Sequence, residues 1–178
     1  MSKRIGVDVD GVLLNFCWAF KKYMWDVHNK YVTSDPEEFT FGISNIAEYI
    51  NGFIDSEYSS TIPAMYPNVA NDMFEMSKLF DVVIVTQFPK KLKLDRIDNL
   101  LKIGITEYSE IIFTENKEEE ILSGKHGHFD SFIDDKPETV ISLSKAGIKS
   151  YYPTYNYTKH IGNVATPYVE LGEIIHSL

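Results

Sequence analysis

The stretch Ile5-Gly6-Val7-Asp8-Val9-Asp10-Gly11-Val12-Leu13 decides the fold. Ile5 to Val9 is short, rich in β-branched residues and free of strict polar alternation, which is the pattern of a strand buried on both faces of a parallel sheet. Three more runs share it: Val82-Val83-Ile84-Val85, Ile111-Ile112-Phe113, and Phe129 through Ile133, with Lys149 to Tyr152 a weaker fifth. Helical spacing fills the gaps between them. Val69, Met73, Met76, Leu79 and Phe80 share a face before the second run, and Leu92, Ile97, Leu100, Leu101 and Ile103 share one after it. Pro137 ahead of Val140, Ile141 and Leu143 marks a helix with proline in its first turn. Strands and helices in alternation predict an α/β fold, an open parallel sheet with right-handed crossovers.

One stretch breaks the alternation. From about Phe16 to Tyr66 there is no clear strand, yet the segment holds half of the chain's aromatic residues, among them Trp18, Trp25, Tyr31, Phe39, Phe41, Tyr49, Phe53 and Tyr58. About fifty residues exceed a simple crossover and fall short of an independent domain. The segment therefore reads as a helical insertion packed over the sheet, with Pro63 and Pro67 bracketing the return. The expected division is an α/β core of residues 1–14 and 68–178 and a helical cap of residues 15–67.

Composition narrows the function classes. The chain of 178 residues, 44% apolar and 24% charged, can bury one sizeable core. A formal charge of −9 disfavours a surface built to hold phosphate backbone, so no stable nucleic-acid complex is expected. No apolar run approaches the roughly 20 residues of a membrane span, and Asp8 and Asp10 fall where a secretion signal would need its apolar centre. Cys17 is the one cysteine, which leaves neither a disulfide nor a thiolate cluster for zinc. A cytoplasmic protein with no membrane partner is expected.

In an open α/β sheet, ligands bind beyond the carboxyl ends of the strands, so polar residues that end apolar runs carry the chemistry. The first run ends in Asp8-Val9-Asp10-Gly11, the second in Thr86-Gln87, and the fourth in Asp134-Asp135. Carboxylates gathered at one edge repel each other in a low-dielectric crevice and call for a cation. A hard divalent ion such as Mg²⁺ takes oxygen ligands and leaves positions for water and a substrate phosphate. In such a site one carboxylate can attack phosphorus. A second, two residues along an extended backbone, points to the same side and can serve as acid and base. Gly11 permits a sharp turn that brings backbone N–H groups toward phosphate, and Thr86 adds a hydroxyl. Lys125, in the loop Ser123-Gly124-Lys125-His126-Gly127, is favoured as the lysine that neutralises charge during transfer, with Lys117 as the competing candidate.

Asp8-Val9-Asp10-Gly11-Val12-Leu13, Val82 to Thr86, Lys125 and Phe132-Ile133-Asp134-Asp135 resemble the four motifs of the haloacid dehalogenase (HAD) superfamily, in order and over nearly the whole chain. The opening motif, the aromatic insertion and Ile133-Asp134-Asp135-Lys136-Pro137 resemble the 5′(3′)-deoxyribonucleotidases and their bacterial and viral relatives. The resemblance implies a Rossmann-like core with a small helical cap, and a Mg²⁺-dependent phosphatase acting on a small phosphorylated substrate, a nucleotide first. It implies Asp8 as nucleophile and metal ligand, and Asp10 as general acid/base whose backbone carbonyl also meets the metal. Thr86 and Lys125 would bind phosphate, and Asp134 and Asp135 would complete the acidic metal site. Gln87, where relatives carry a small or hydroxyl residue, would contribute its amide. Phe16 and Trp18, just after the first motif, are the cap rings placed to stack on a base.

Other readings have less behind them. His126 and His128 flank Gly127 without a third ligand nearby, so they read as loop residues. The run Lys117-Glu118-Glu119-Glu120 reads as a solvated helix start. No glycine-rich dinucleotide motif, P-loop or serine elbow is present. The rivals to a nucleotidase are a phosphatase for another metabolite or polynucleotide end, and a regulatory module that takes Mg²⁺ and phosphate without turnover.

Overall fold

The computed structural model describes residues 2–32, 41 and 43–175. Six strands, β1 (Arg4–Val7), β2 (Asp81–Thr86), β3 (Glu110–Phe113), β4 (Ser131–Ile133), β5 (Lys149–Pro153) and β6 (Thr166–Tyr168), form one sheet in the order β3-β2-β1-β4-β5-β6. Every neighbouring pair is parallel. The helices are α1 (Phe16–His28), α2 (Ile46–Ile54), α3 (Val69–Leu79), α4 (Lys93–Lys102), α5 (Lys117–Leu122), α6 (Pro137–Lys145) and α7 (Leu171–Ile175). The expected α/β sheet is present, with two differences at its ends. The fourth strand starts at Ser131, leaving Phe129 ahead of it, and a sixth, Thr166–Tyr168, extends the sheet beyond β5. Three residues around Pro167 give no strand signal, and proline is tolerated there because β6 is an edge.

Burial of both faces explains the unbroken apolar runs. Val82 and Ile84 join the core on one side of β2, while Val83 and Val85 join Phe129, Phe132 and Leu143 on the other. Gly6 sits under the Phe132 ring of the adjacent strand, where a Cβ would collide with it.

Between β1 and α3 the described residues contain helices and no strand: α1, α2 and a 3-10 turn over Glu57–Ser60. Asn15 starts α1, its side chain accepting from the Trp18 N–H at 3.0 Å. Phe20, Met24, Phe41 and Phe53 lie in the same buried cluster as Val7 and Ile84, so the insertion shares the sheet's core. Its neck is a short backbone ribbon, with Asn15 N–H donating to the Pro63 carbonyl at 2.9 Å and Met65 N–H to the Leu13 carbonyl at 2.8 Å. Trp18, Trp25 and Tyr31 are instead at least half exposed, and Phe39 lies outside the described residues. Among the described residues no helix is long and apolar enough to cross a membrane.

Candidate active site

The chain order reverses at β1, which lies between β2 and β4, and in open α/β sheets the crevice beyond such a switch point is where ligands bind. Asp8 follows β1, its N–H held by the Ile133 carbonyl of β4 at 2.9 Å. Asp134 and Asp135 follow β4. Asp8, Asp134 and Asp135 present carboxylate oxygens within 4.8 Å of one another, and all three are buried.

The lysine among them is Lys117. Its Nζ lies 2.6 Å from Asp8 and 2.8 Å from Asp134, and its side chain is almost wholly buried. The favoured candidate, Lys125, is 68% exposed and pairs with Glu120 at 2.9 Å, so it is not the lysine of the cluster. The reason is topological. Lys125 lies in the loop that leads into β4, at the amino edge of a parallel sheet, where Arg4 at the start of β1 donates to the His126 carbonyl. Lys117 starts the helix that follows β3, at the carboxyl edge. Asn116 caps that helix by accepting from the Glu119 N–H at 3.1 Å, and Glu118, Glu119 and Glu120 suit the positive end of its dipole. The run is thus less solvated than expected, since Glu118 also accepts from the Thr139 hydroxyl. His126 bridges Glu110 and Glu120 on the same amino edge, as a loop clamp.

Charge follows from the packing. Three carboxylates and one ammonium leave a formal charge of −2 in a buried space. Burial raises Asp8 above its ordinary value, against the pull of Lys117. Burial, reinforced by Asp8, raises Asp134 to about 6, also against Lys117. Asp135 rises well above the carboxylate range through burial and the charges of Asp8 and Asp134, although it accepts from the Tyr157 hydroxyl at 2.6 Å. Burial alone would pull Lys117 down, but Asp134 and Asp8 more than reverse this and hold it charged. A hard divalent cation would cancel the residual −2, and this all-oxygen donor set fits Mg²⁺.

A cavity of about 210 Å³ opens over the cluster, lined by Asp8, Asp10, Gln87, Phe88, Lys117, Asp135 and Lys136 and by Phe16, Ile50 and Ile54 of the insertion. Phe16 therefore reaches the cavity while Trp18, half exposed on α1, does not line it. Gln87 does so too, with its amide donating to the Glu115 carbonyl at 2.8 Å. Thr86 ends β2 with a buried hydroxyl that has no partner among the described residues; it does not itself line the cavity, which its neighbour Gln87 does. Gly11 differs from expectation. Its N–H donates to the Leu14 carbonyl at 2.9 Å and is not free for phosphate. What glycine provides is a φ of 83° and the missing Cβ, which would collide with the Asp135 carboxylate.

Sequence signals did not single out Phe88, Ile50, Ile54 or Lys136 in the lining, nor Tyr157 behind Asp135, nor Arg96, which donates to Asp10 at 3.0 Å. Phe88 directly follows Gln87 and was in reach of the strand-end rule. Lys136, directly after Asp134-Asp135, was in its reach as well, whereas Ile50, Ile54, Tyr157 and Arg96 come from distant segments and carry no local signature.

No protein-family model and no curated protein sequence matches the chain. Solved structures do match in shape. A haloacid dehalogenase-like hydrolase from Streptococcus pneumoniae superposes with a TM-score of 0.70 at 13% identity, over 99% of this chain and 98% of that one. A HAD-hydrolase from Bacillus subtilis, bound to magnesium, gives 0.67 at 12% identity over 99% and 98%. A predicted phosphoglycolate phosphatase from Haemophilus somnus gives 0.64 at 17% identity over 99% and 97%. These likenesses bear out the HAD resemblance at the level of fold and lend none to the finer nucleotidase resemblance. With a parallel six-stranded sheet, acidic residues at its switch point and helices inserted after its first strand, the chain has the haloacid dehalogenase-like fold.

Proposed function

We propose that the protein is a phosphomonoester hydrolase that works through an aspartyl-phosphate on Asp8. The observation that carries this reading is the Lys117 ammonium bridging Asp8 and Asp134, with Asp10 opening onto the same cavity. An Asp8 oxygen attacks phosphorus while the ester oxygen leaves with a proton from Asp10. Water then attacks the acyl phosphate, gives its proton to Asp10, and restores the Asp8 carboxylate with release of phosphate. Lys117 stays protonated and offsets the charge on Asp8 and the phosphoryl oxygens, and the Thr86 hydroxyl donates to one of them. Asp8, Asp134 and Asp135, with the Asp10 carbonyl, would hold a Mg²⁺ ion, whose chemistry is to screen the carboxylates from one another and polarise the phosphoryl group. The insertion, residues 15–67, acts as a cap that walls the site with Phe16, Ile50 and Ile54 and keeps water out.

The substrate class proposed first is a nucleoside monophosphate, because Phe16, Phe88, Ile50 and Ile54 give the cavity apolar walls for a planar base. Lys136 favours a second reading, a small phosphate ester with a further anionic group such as phosphoglycolate, since it lines the cavity and has no ion-pair partner among the described residues. Phosphate release from nucleoside monophosphates and from small carboxylated phosphate esters, with Mg²⁺ present, separates the two. Asp8→Asn is expected to bring release to background for every ester while the far-UV spectrum stays unchanged. Release at the parent rate by that variant overturns the mechanism.

A further inference from the structure

We infer that Arg96 is a positioning residue for Asp10, and that α4 joins the proton-transfer carboxylate and the neck of the cap into one rigid unit. This rests on the role of Asp10 in the hydrolysis proposed above.

Arg96 is 0% exposed and carries its charge at any working pH. Its one hydrogen-bond partner among the described residues is Asp10, through Nη2 and Oδ2 at 3.0 Å. Nε and Nη1 are buried without an acceptor among the described residues. A purely structural clamp on a carboxylate would use two parallel N–H groups. Taking a guanidinium out of water against a single oxygen is unfavourable, and an apolar residue of similar size would fill the space better. What the arrangement does achieve is an asymmetric Asp10. Oδ2 is anchored by Arg96, whereas Oδ1 is buried and has no donor among the described residues, which leaves it as the oxygen for the proton.

Phe88 explains why Arg96 acts through Asp10 and not on substrate. The guanidinium lies over the Phe88 ring, 3.9 Å from its centroid, and Phe88 in turn lines the cavity. The ring is the wall between them. One turn further along α4, Asn99 grips the backbone of Ile62, accepting from its N–H at 3.2 Å and donating to its carbonyl at 2.8 Å. Ile62 precedes the Pro63 to Met65 ribbon at the neck, so residues three apart on one helix hold both Asp10 and the return of the insertion. During turnover Arg96 remains protonated. The proton moves from Asp10 to the leaving oxygen, then from water back to Asp10, while Arg96 balances the carboxylate formed between.

The test uses the full chain with Mg²⁺ and two kinds of ester. One is an alkyl ester, a nucleoside monophosphate or another that the parent hydrolyses, whose leaving oxygen needs a proton. The other is para-nitrophenyl phosphate, whose leaving group does not. Arg96→Met is expected to lower kcat about tenfold or more with KM within about twofold, and to lower kcat/KM more for the alkyl ester. Arg96→Lys, which restores the charge without the fork, should fall between. On an Asp10→Asn background, Arg96→Met should cost nothing further in rate. It should also raise the melting temperature, because Asp10→Asn alone strands the buried guanidinium. An unchanged kcat, a loss in KM alone, equal losses for both esters, or a full additional loss on the Asp10→Asn background overturns the inference. If Arg96→Met does not fold, Arg96→Lys decides by the same ester comparison. A parent protein that hydrolyses no ester overturns the phosphatase reading and the inference with it. Parent-like hydrolysis by the Arg96 variants overturns the inference alone.

Discussion

Lys117 and Lys125 show what one side chain's place in a parallel sheet decides. Both are lysines in short polar segments between the third and fourth strands, yet one sits between two buried aspartates and the other in solvent. Lys117→Met removes the only cation among the described residues that touches Asp8, and should lower kcat by about 10²–10³. Lys125→Met should leave kcat within about twofold, its exposed pair with Glu120 being worth about 1 kcal/mol or less. Steady-state rates of the two variants check both statements, and a large loss in Lys125→Met would restore the discarded candidate. The rule needed to choose was already in use for the aspartates, that ligand-binding residues follow strands. It excludes a residue that leads into one.

Helix α4 shows where periodicity misleads. Apolar spacing assigns its inner face to Leu92, Ile97, Leu100, Leu101 and Ile103, but the residues it buries are Arg96, Asn99 and Leu100, and Leu101 is exposed. The pattern fails because this helix packs on polar targets, the Asp10 carboxylate and the Ile62 peptide, and a polar target selects polar partners. Asn99→Ala leaves that peptide without partners and should destabilise the fold by about 1–3 kcal/mol. Hydrogen exchange at the Ile62 amide should accelerate more than at the sheet amides. Equal acceleration everywhere would mean that Asn99 acts on global stability alone. The insertion's aromatic richness divides similarly. Phe20 of α1 and Phe53 of α2 lie in the buried core, Phe16 reaches the cavity, and Trp18 is half exposed, though Phe16, Trp18 and Phe20 belong to one helix.

At the scale of the molecule, part of the net charge of −9 is concentrated at the switch point, and stability should therefore respond to pH and cations. The Asp134 carboxyl lies at about 6 in the folded chain against an ordinary 3.8, with burial the main cause. Its proton is therefore held more tightly folded than unfolded, and its effect favours the folded state below the ordinary value. That advantage is lost as pH rises through about 6. Without divalent cation, the protein should lose stability between about pH 4 and 6 relative to Asp134→Asn, as read in denaturant melts. Mg²⁺ at about 100 times its dissociation constant should return about 2.7 kcal/mol at pH 7, and a chelator should remove it. A pH profile parallel to that of Asp134→Asn, with no Mg²⁺ response, would argue against a cation site.

The sequence by itself determined five of the six strands, their parallel sense, the helical nature of the insertion and the acidic residues at the strand ends. These rest on local physics: β-branched runs buried on both faces, helical spacing, and side chains whose place is set by the strand that precedes them. Tertiary structure alone decided which lysine joins the aspartates, which aromatic ring meets the cavity, and that Arg96, Tyr157 and Asn99 stand behind Asp10, Asp135 and the neck. Those pairings join segments far apart in the chain. Each forms because a buried charge or peptide group must find a partner wherever the fold brings one.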